Sequence, residues 1–345
     1  MVVTSAVSIR LLASRTLNQI RCWISYALSL FGVVRVRHLP TFVSVEPANF
    51  CQLHCPECPV GTASRLSPLA SSPNRLMTME LFYRILDQVK EHTHTMQFYF
   101  QGEPLLNKQL PEMIAMAHQV GLYTIVSTNA QALSRSIAEA LVKSGLNRII
   151  VSIDGFSEES YAAYRVGGNL HKALEGLQHL ANAKAEYHSR IRIELQVLRL
   201  RSNEHEWDWI KKNYKKLGAT HLVFKTAQLY NFEHGHPLMP TDERYSRYKK
   251  TADGTYIHKS SHLSPLALSP HHLIASQPCL RLWSGCVITT SGDVLPCCYD
   301  KDHSHALGNI TIYTLSEIFH SNKANTLRKH ILKGNRPKMC KNCDH

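Results

Sequence analysis

From residue 42 onward, apolar runs alternate with segments whose apolar residues recur every three or four positions, and this alternation leaves the chain few folds. The runs cover 42–45, 96–100, 123–126, 149–153, 191–198 and 221–225, and the helical patterns between them cover 79–89, 110–120, 137–142, 174–183 and 207–217. Six strand–helix units predict parallel strands joined by right-handed crossovers. The expected fold class is therefore α/β, a partial (βα)6 or full barrel. Ligands of such barrels sit at the carboxyl ends of the strands. Here those ends carry Gln101-Gly102-Glu103-Pro104, Ser127-Thr128-Asn129 and Asp154-Gly155, while Glu194 and Gln196 share one face of the fifth run.

The first strand end leads into Cys51-Gln-Leu-His-Cys55-Pro-Glu-Cys58. Thiolates are soft ligands that favour iron-sulfur clusters or zinc, and closed structural sites normally take four protein ligands. Three thiolates in one loop are thus a reactive site or an incomplete one. The spacing suits a four-iron cluster bound at three irons with the fourth open. It also suits a zinc site completed by His54 or a distant residue, or thiols that merely lie close. The chain has ten cysteines and no secretory signal. That pattern points to a reducing, cytoplasmic compartment, where paired cysteines bind metal more often than they form disulfides.

Six of the ten, Cys279, Cys286, Cys297, Cys298, Cys340 and Cys343, crowd the carboxyl end. Around them, 282–288 and 291–296 predict a β-hairpin turning at Ser291-Gly292-Asp293, followed by a helical pattern at 315–319. The pair Cys340-Lys-Asn-Cys343 is also compatible with a zinc ribbon.

Over residues 40–228 and again over 279–345, these motifs resemble the radical S-adenosylmethionine (SAM) superfamily. The resemblance implies a [4Fe-4S] cluster on Cys51, Cys55 and Cys58 with SAM on its open iron. Reductive cleavage would yield methionine and a 5′-deoxyadenosyl radical that abstracts hydrogen from substrate. The family's Gly-Gly-Glu-Pro turn appears here with Gln101 in the first position. Gly102 and Glu103 of that turn match the contacts to the methionine amine. Ser127 and Asn129, then Ser152 and Asp154, match ribose- and methionine-side contacts. Arg165, in Tyr-Arg-Val-Gly-Gly, matches an arginine near the methionine carboxylate, and Gln196 is a further candidate. Taken alone, Ser127 and Asn129 are also ordinary turn formers, Asp154-Gly155 an ordinary turn pair, and Arg165 an ordinary surface arginine.

The carboxyl end resembles the SPASM/Twitch auxiliary-cluster module, a small cysteine-rich hairpin and helix domain. This implies a second, auxiliary [4Fe-4S] cluster on Cys279, Cys297, Cys340 and Cys343. Cys286 and Cys298 are left over as small buried hydrophobes, although Cys298 competes with its neighbour Cys297. Cys22 stands in an apolar stretch and is expected in the core. No catalytic side chain is assigned beyond the cluster.

The expected organisation is a basic amphipathic segment at 1–40, the barrel at 41–228, an insert at 229–278 and the auxiliary domain at 279–345. The first 45 residues hold five arginines and no acidic residue. They resemble an organellar presequence, suit peripheral membrane contact, or form a helix capping the closed end of the barrel, and we expect the last. The insert carries His234, His236, His258, His262, His271 and His272, without ligand spacing, and long connections of this kind are functional or disordered. A net charge of +13 without basic runs interleaved with aromatics does not predict nucleic-acid binding. Lys323, Arg328, Lys329, Lys333, Arg336, Lys338 and Lys341 cluster around the second cysteine group; they offset a cluster's negative charge, suit an acidic electron donor of flavodoxin or ferredoxin type, or form a solvated helix face. The substrate is a small molecule or a peptide. The short amino-terminal segment leans toward a small molecule, or a peptide presented by a separate partner. The competing reading is a noncatalytic zinc- or cluster-binding scaffold.

Overall fold

In a computed structural model, which describes residues 9–62, 74–259, 278–340 and 342–343, the alternation becomes a parallel sheet. Strands β1 (Phe42–Val45), β2 (Thr95–Phe98), β3 (Tyr123–Thr128), β4 (Arg148–Ser152), β5 (Arg192–Arg199) and β6 (His221–Thr226) lie side by side in chain order, each parallel to the next. Helix α1 (Ile9–Leu30) precedes them and the single turn α2 (Pro59–Thr62) closes the cysteine loop. The crossovers are α3 (Met79–Val89), α4 (Leu110–Gln119), α5 (Arg135–Lys143), α6 (Glu158–Ala162) with α7 (Leu170–Glu186), and α8 (Trp207–Asn213). Side-chain caps start several of them: Thr78, Ser134, Ser157 and Asn169 each accept a backbone N–H of the first turn of α3, α5, α6 and α7, which satisfies a donor the helix itself leaves open.

Strand periodicity then sorts the faces. Val43, Val45, Met96, Phe98, Ile149, Val151, Ile193 and Leu195 share one core with Phe82, Ile85, Leu86 and Val89 of α3. The alternate positions Ser44, Gln97, Ile150, Ser152, Glu194 and Gln196 therefore face the concave side. The second run ends as a strand at Phe98, because Tyr99 and Phe100 already belong to the turn that follows.

A two-stranded ribbon, β7 (Tyr248–Lys250) with β8 (Tyr256–His258), stands apart from the sheet. After it come α9 (Leu280–Ser284), β9 (Gly285–Ile288), β10 (Asp293–Leu295), β11 (Gly308–Asn309), α10 (Leu315–Phe319) and α11 (Asn322–Leu332). The hairpin forms, with Gly292 at φ +84° in its turn, a value only glycine adopts at no cost. Residues 282–284 are helical rather than extended, so the strand starts at Gly285. β9 pairs in parallel with β1, giving the sheet the order β11-β10-β9-β1-β2-β3-β4-β5-β6. The carboxyl-terminal hairpin is thus a continuation of the barrel wall.

α1 lies across the amino ends of the strands. Arg15 donates hydrogen bonds of 2.6–3.0 Å to the carbonyls of Lys90, Val120 and Gly121, where α3 and α4 end, and Asn18 donates to Leu39 and His92. Cys22 is fully buried beside Trp283. Arg328 does not belong to the basic surface: it is buried and donates to the carbonyls of Leu282 and Phe319. His262, His271 and His272 lie outside the described residues. No described helix is long and apolar enough to cross a membrane.

Candidate functional site

The Gly-Glu-Pro turn is pressed onto the chain that enters the cysteine loop. A Cβ on Gly102 would collide with the carbonyl oxygen of Ala48 and come within 2.7 Å of the Phe50 nitrogen. Glycine is therefore required here by close approach rather than by dihedral angle. Next to it, Glu103 donates its N–H to the Phe50 carbonyl at 2.9 Å. Its buried carboxylate accepts from Thr128 Oγ1 (2.6 Å), the Asn129 N–H (2.8 Å) and the Leu105 N–H (3.1 Å). Burial pushes this carboxyl above its usual range, and the three donors together with Arg165 oppose that rise. Asn129, so anchored, donates through Nδ2 to Cys51 Sγ at 3.3 Å and accepts from Gln52 Nε2 at 3.1 Å.

Across the loop, the His54 N–H donates to the Val166 carbonyl at 2.9 Å, bringing the Arg165 turn alongside. Arg165 pairs with Asp154 Oδ2 at 2.6 Å and reaches Cys55 Sγ at 3.9 Å. Burial works against the Arg165 charge, but Asp154 and Cys55 outweigh it and hold the guanidinium above its ordinary value. Asp154 also accepts the Leu198 N–H at 2.6 Å through its other oxygen. Ser127 on β3, Ser152 on β4 and Gln196 on β5 line the concave face, the last two as register partners.

Burial raises the thiol of Cys51 to about 12 and that of Cys55 upward as well. Left alone they hold their protons. To hold a positively charged iron centre, Cys51 and Cys55 would give up those protons, since metal ligands must be deprotonated. Soft donors of this kind, half-buried and with one carboxamide donor already on sulfur, fit a cluster held at three corners.

The second cysteine group gathers from three stretches of chain. Cys279 caps α9, Cys297 follows β10, and Cys340 and Cys343 sit in the carboxyl-terminal turn. Burial lifts Cys297 to about 12, with Cys298, Cys279 and Cys340 adding to the rise. Burial likewise lifts Cys340 to about 11, with Cys279 and Cys343 contributing. These thiols are near enough to repel one another as thiolates. Cys298 accepts from Arg281 Nη1 at 3.7 Å, and Cys286 points into the main core with Val43 and Ile288. Among the described residues, no three His, Cys, Asp or Glu side chains converge on a point that would hold a single metal ion.

Toward the amino ends of β1, β2 and β9 the concave face opens into a cavity of about 390 Å³ lined by Gln19, Thr41, Thr95, Gln97, Arg281, Cys297 and Cys298, among others. Its surroundings are basic. Lys225 is lowered from its usual value first by burial, then by Arg148, Arg247 and Arg281, with Glu194 opposing. Glu194 itself is held by Arg148 at 2.6 Å and Arg192 at 3.1 Å. Sequence reasoning missed Gln52, Thr128, Lys225 and Arg281. Only Thr128, lying between Ser127 and Asn129, carried a signal there. The described part of the insert packs Leu229, Phe232, Met239 and Tyr248 against Leu53 and Cys55. Glu57 ties it down through the Tyr230 N–H at 2.8 Å and His236 at 3.2 Å.

The profile of the Radical SAM superfamily matches residues 45–193, and that of an iron-sulfur cluster-binding domain, SPASM, matches 279–344. A PqqA peptide cyclase of Rhizobium meliloti (strain 1021) is 27% identical over 315 residues, spanning 88% of this chain and 80% of the relative. Among solved structures, BtrN in complex with AdoMet and 2-DOIA superimposes with a TM-score of 0.53 at 21% identity, covering 90% of this chain and 95% of that one. Streptococcus suis SuiB bound to its precursor peptide SuiA gives 0.60 at 14% identity, over 88% and 69%. The cofactors of this superfamily are a [4Fe-4S] cluster and SAM, and a SPASM domain adds auxiliary iron-sulfur centres. With both matches in their expected order on one barrel, the chain is a radical SAM enzyme that carries a SPASM-type carboxyl-terminal domain.

Proposed function

We propose that this enzyme modifies a peptide, with the reacting residue held on the concave face, where a cavity opens beside the second cysteine group. The observation that carries the proposal is the cavity's position. It is walled by the amino-terminal parts of β1 and β2 and by Cys297 and Cys298 of the second group, on the concave face whose opposite rim carries the first cysteine loop. A peptide substrate is supported by the PqqA peptide cyclase relative and by the peptide-bound SuiB fold. The basic surroundings of Lys225 and Arg281 favour an acidic side chain or a carboxylate in the bound segment.

In this reading Cys51, Cys55 and Cys58 hold the SAM-binding cluster, and Cys279, Cys297, Cys340 and Cys343 the auxiliary one. When bound, the first cluster and SAM supply a 5′-deoxyadenosyl radical. Gly102 lets the turn approach closely, and Ser127, Asn129, Ser152, Arg165 and Gln196 would face bound SAM. Glu103 acts as a positioning residue through Asn129, as does Asp154 through Arg165. The insert over Leu53 and Cys55 excludes water from the loop. Exposed Lys323 and Lys329 on α11 and Lys333 just after it offer an acidic flavodoxin or ferredoxin a docking face beside the auxiliary group.

The test is anaerobic reconstitution, followed by incubation with SAM, reductant and the peptides encoded beside the gene. Mass spectrometry should show a peptide lighter by two hydrogens per oxidised bond. Formation of 5′-deoxyadenosine with every such peptide left unchanged, and a small molecule consumed instead, would overturn the peptide reading.

A further inference from the structure

Helix α1 turns its polar residues toward the protein and its apolar residues away. Arg15, Asn18, Ser25 and Ser29 are buried at 5% exposure or less, whereas Leu12, Leu17, Ile20, Trp23 and Ile24 are 48–54% exposed and Ile9 and Phe31 stand out at 85% and 80%. The inward polar residues have work there, since Arg15 and Asn18 bind the carbonyls at the ends of α3 and α4 and beside β2. Of the outward residues, Trp23 meets Tyr26 of the same helix edge-on at 6.4 Å, and the strip otherwise stands exposed. At 3.6 residues per turn they fall within about 140° of arc, along a helix roughly 33 Å long. An apolar strip that long is uncommon on a monomer and marks an interaction surface.

Its charge says which one. Arg10 and Arg21 flank the strip, Arg35 and Arg37 follow it, all four are exposed, and no acidic residue occurs before Glu46. A second copy of α1 would bring arginines against arginines with no carboxylate to answer them. Negatively charged lipid headgroups do answer them, and the boundary between headgroups and acyl chains accepts both the apolar strip and an indole ring. We propose that α1 seats this enzyme on an anionic membrane surface, lying in the plane of the interface with Ile20, Trp23 and Ile24 inserted and Arg10 and Arg21 against lipid phosphates. The helix does not cross the bilayer. Seating through α1 turns the closed end of the barrel to the lipid and leaves the cysteine loop, at the opposite strand ends, facing away.

The full-length protein is mixed with vesicles of phosphatidylcholine alone, or of phosphatidylcholine with phosphatidylglycerol, and sedimented. It should pellet with the mixed vesicles, weakly with the neutral ones, and less at high salt. Trp23 emission, isolated by comparison with Trp23→Phe, should shift to the blue on binding. The variant Ile20→Ser/Trp23→Ser/Ile24→Ser should lose about tenfold or more in vesicle affinity while forming 5′-deoxyadenosine at the wild-type rate. Arg10→Gln and Arg21→Gln should each cost about fivefold on mixed vesicles. The proposal falls if the wild type ignores both kinds of vesicle, or if the triple variant binds as well as the wild type. It also falls if Trp23 is already blue-shifted in buffer, or if the wild type is a dimer that the triple variant converts to monomer without any vesicle binding.

Discussion

Gln101 donates a 2.8 Å hydrogen bond from Nε2 to the carbonyl of Lys301, fastening the turn that carries Glu103 to the loop that follows Cys297 and Cys298. The contact is reinforced on both sides. The Lys301 ammonium lies 4.6 Å from the centre of the Phe100 ring, and His303 stacks on that same ring at 6.2 Å. A glutamine replacing the family's first glycine thus joins the first cysteine group to the second.

Removing this link should loosen the joint without dismantling either group. Gln101→Ala deletes one buried side-chain bond, a loss of about 1 kcal/mol in stability, readable as a lower denaturant midpoint with unchanged slope. Formation of 5′-deoxyadenosine without substrate should persist, while substrate turnover falls relative to it. Equal losses in both activities would mean that Gln101 serves the SAM-binding turn alone.

The two cysteine groups should be separable by metal content. Three plus four thiolates imply two four-iron clusters. Replacing Cys51, Cys55 and Cys58 together by Ala should remove half the iron and abolish SAM cleavage. Replacing Cys340 and Cys343 by Ala should instead lower the iron from the other half and spare uncoupled SAM cleavage. Circular dichroism must accompany the second variant, because a metal site supplies much of a small module's stability. A native protein loaded mainly with zinc would contradict both.

Most of the barrel was legible because its signals are local. The α3 boundaries follow from Thr78 and the 82, 85, 86, 89 spacing, and the six strands follow from apolar runs closed by polar residues. The parallel pairing of β9 with β1 was not legible, since no local pattern reports which edge a late hairpin will join. The cysteines announced themselves by spacing, but the side chains that orient them did not. Thr128, Gln52 and the basic group around Lys225 matter through contacts between distant segments, and each alone resembles a common surface or turn residue. Arg328 was misplaced for the opposite reason: a basic residue in a basic helix looks exposed until its carbonyl partners are seen.

Asn129 gives a spectroscopic handle on the first group. Its Nδ2 hydrogen bond to Cys51 Sγ stabilises negative charge on sulfur, and the reduced cluster carries more of it than the oxidised one. Asn129→Leu should therefore move the cluster's reduction potential to a more negative value, measured by an EPR-monitored redox titration of reconstituted protein. A shift toward positive values for Asn129→Leu would show that the carboxamide does not donate to sulfur in the loaded protein.

Glu46 should make stability depend on pH in the neutral range. It follows β1, is 1% exposed, and lies beside the backbone N–H groups of Thr290 and Gln101 and the Lys301 ammonium. Burial is the largest influence and raises its carboxyl from 4.5 to about 7, against the opposing pull of those donors and Lys301. The folded protein therefore binds the Glu46 proton more tightly than the unfolded chain does. Below pH 4.5 both states are protonated and this contribution is fully present; as pH rises toward about 7 it is progressively lost, and above that the ionised carboxylate is a net cost to folding. Glu46→Gln keeps the shape and removes the titration. The variant should thus gain on the wild type as pH increases, by on the order of 3 kcal/mol at most once pH exceeds 7, and chemical denaturation across this range would measure the gain. Parallel stability curves for the two proteins between pH 4.5 and 7 would mean that Glu46 is ionised throughout, with Lys301 holding its charge in place.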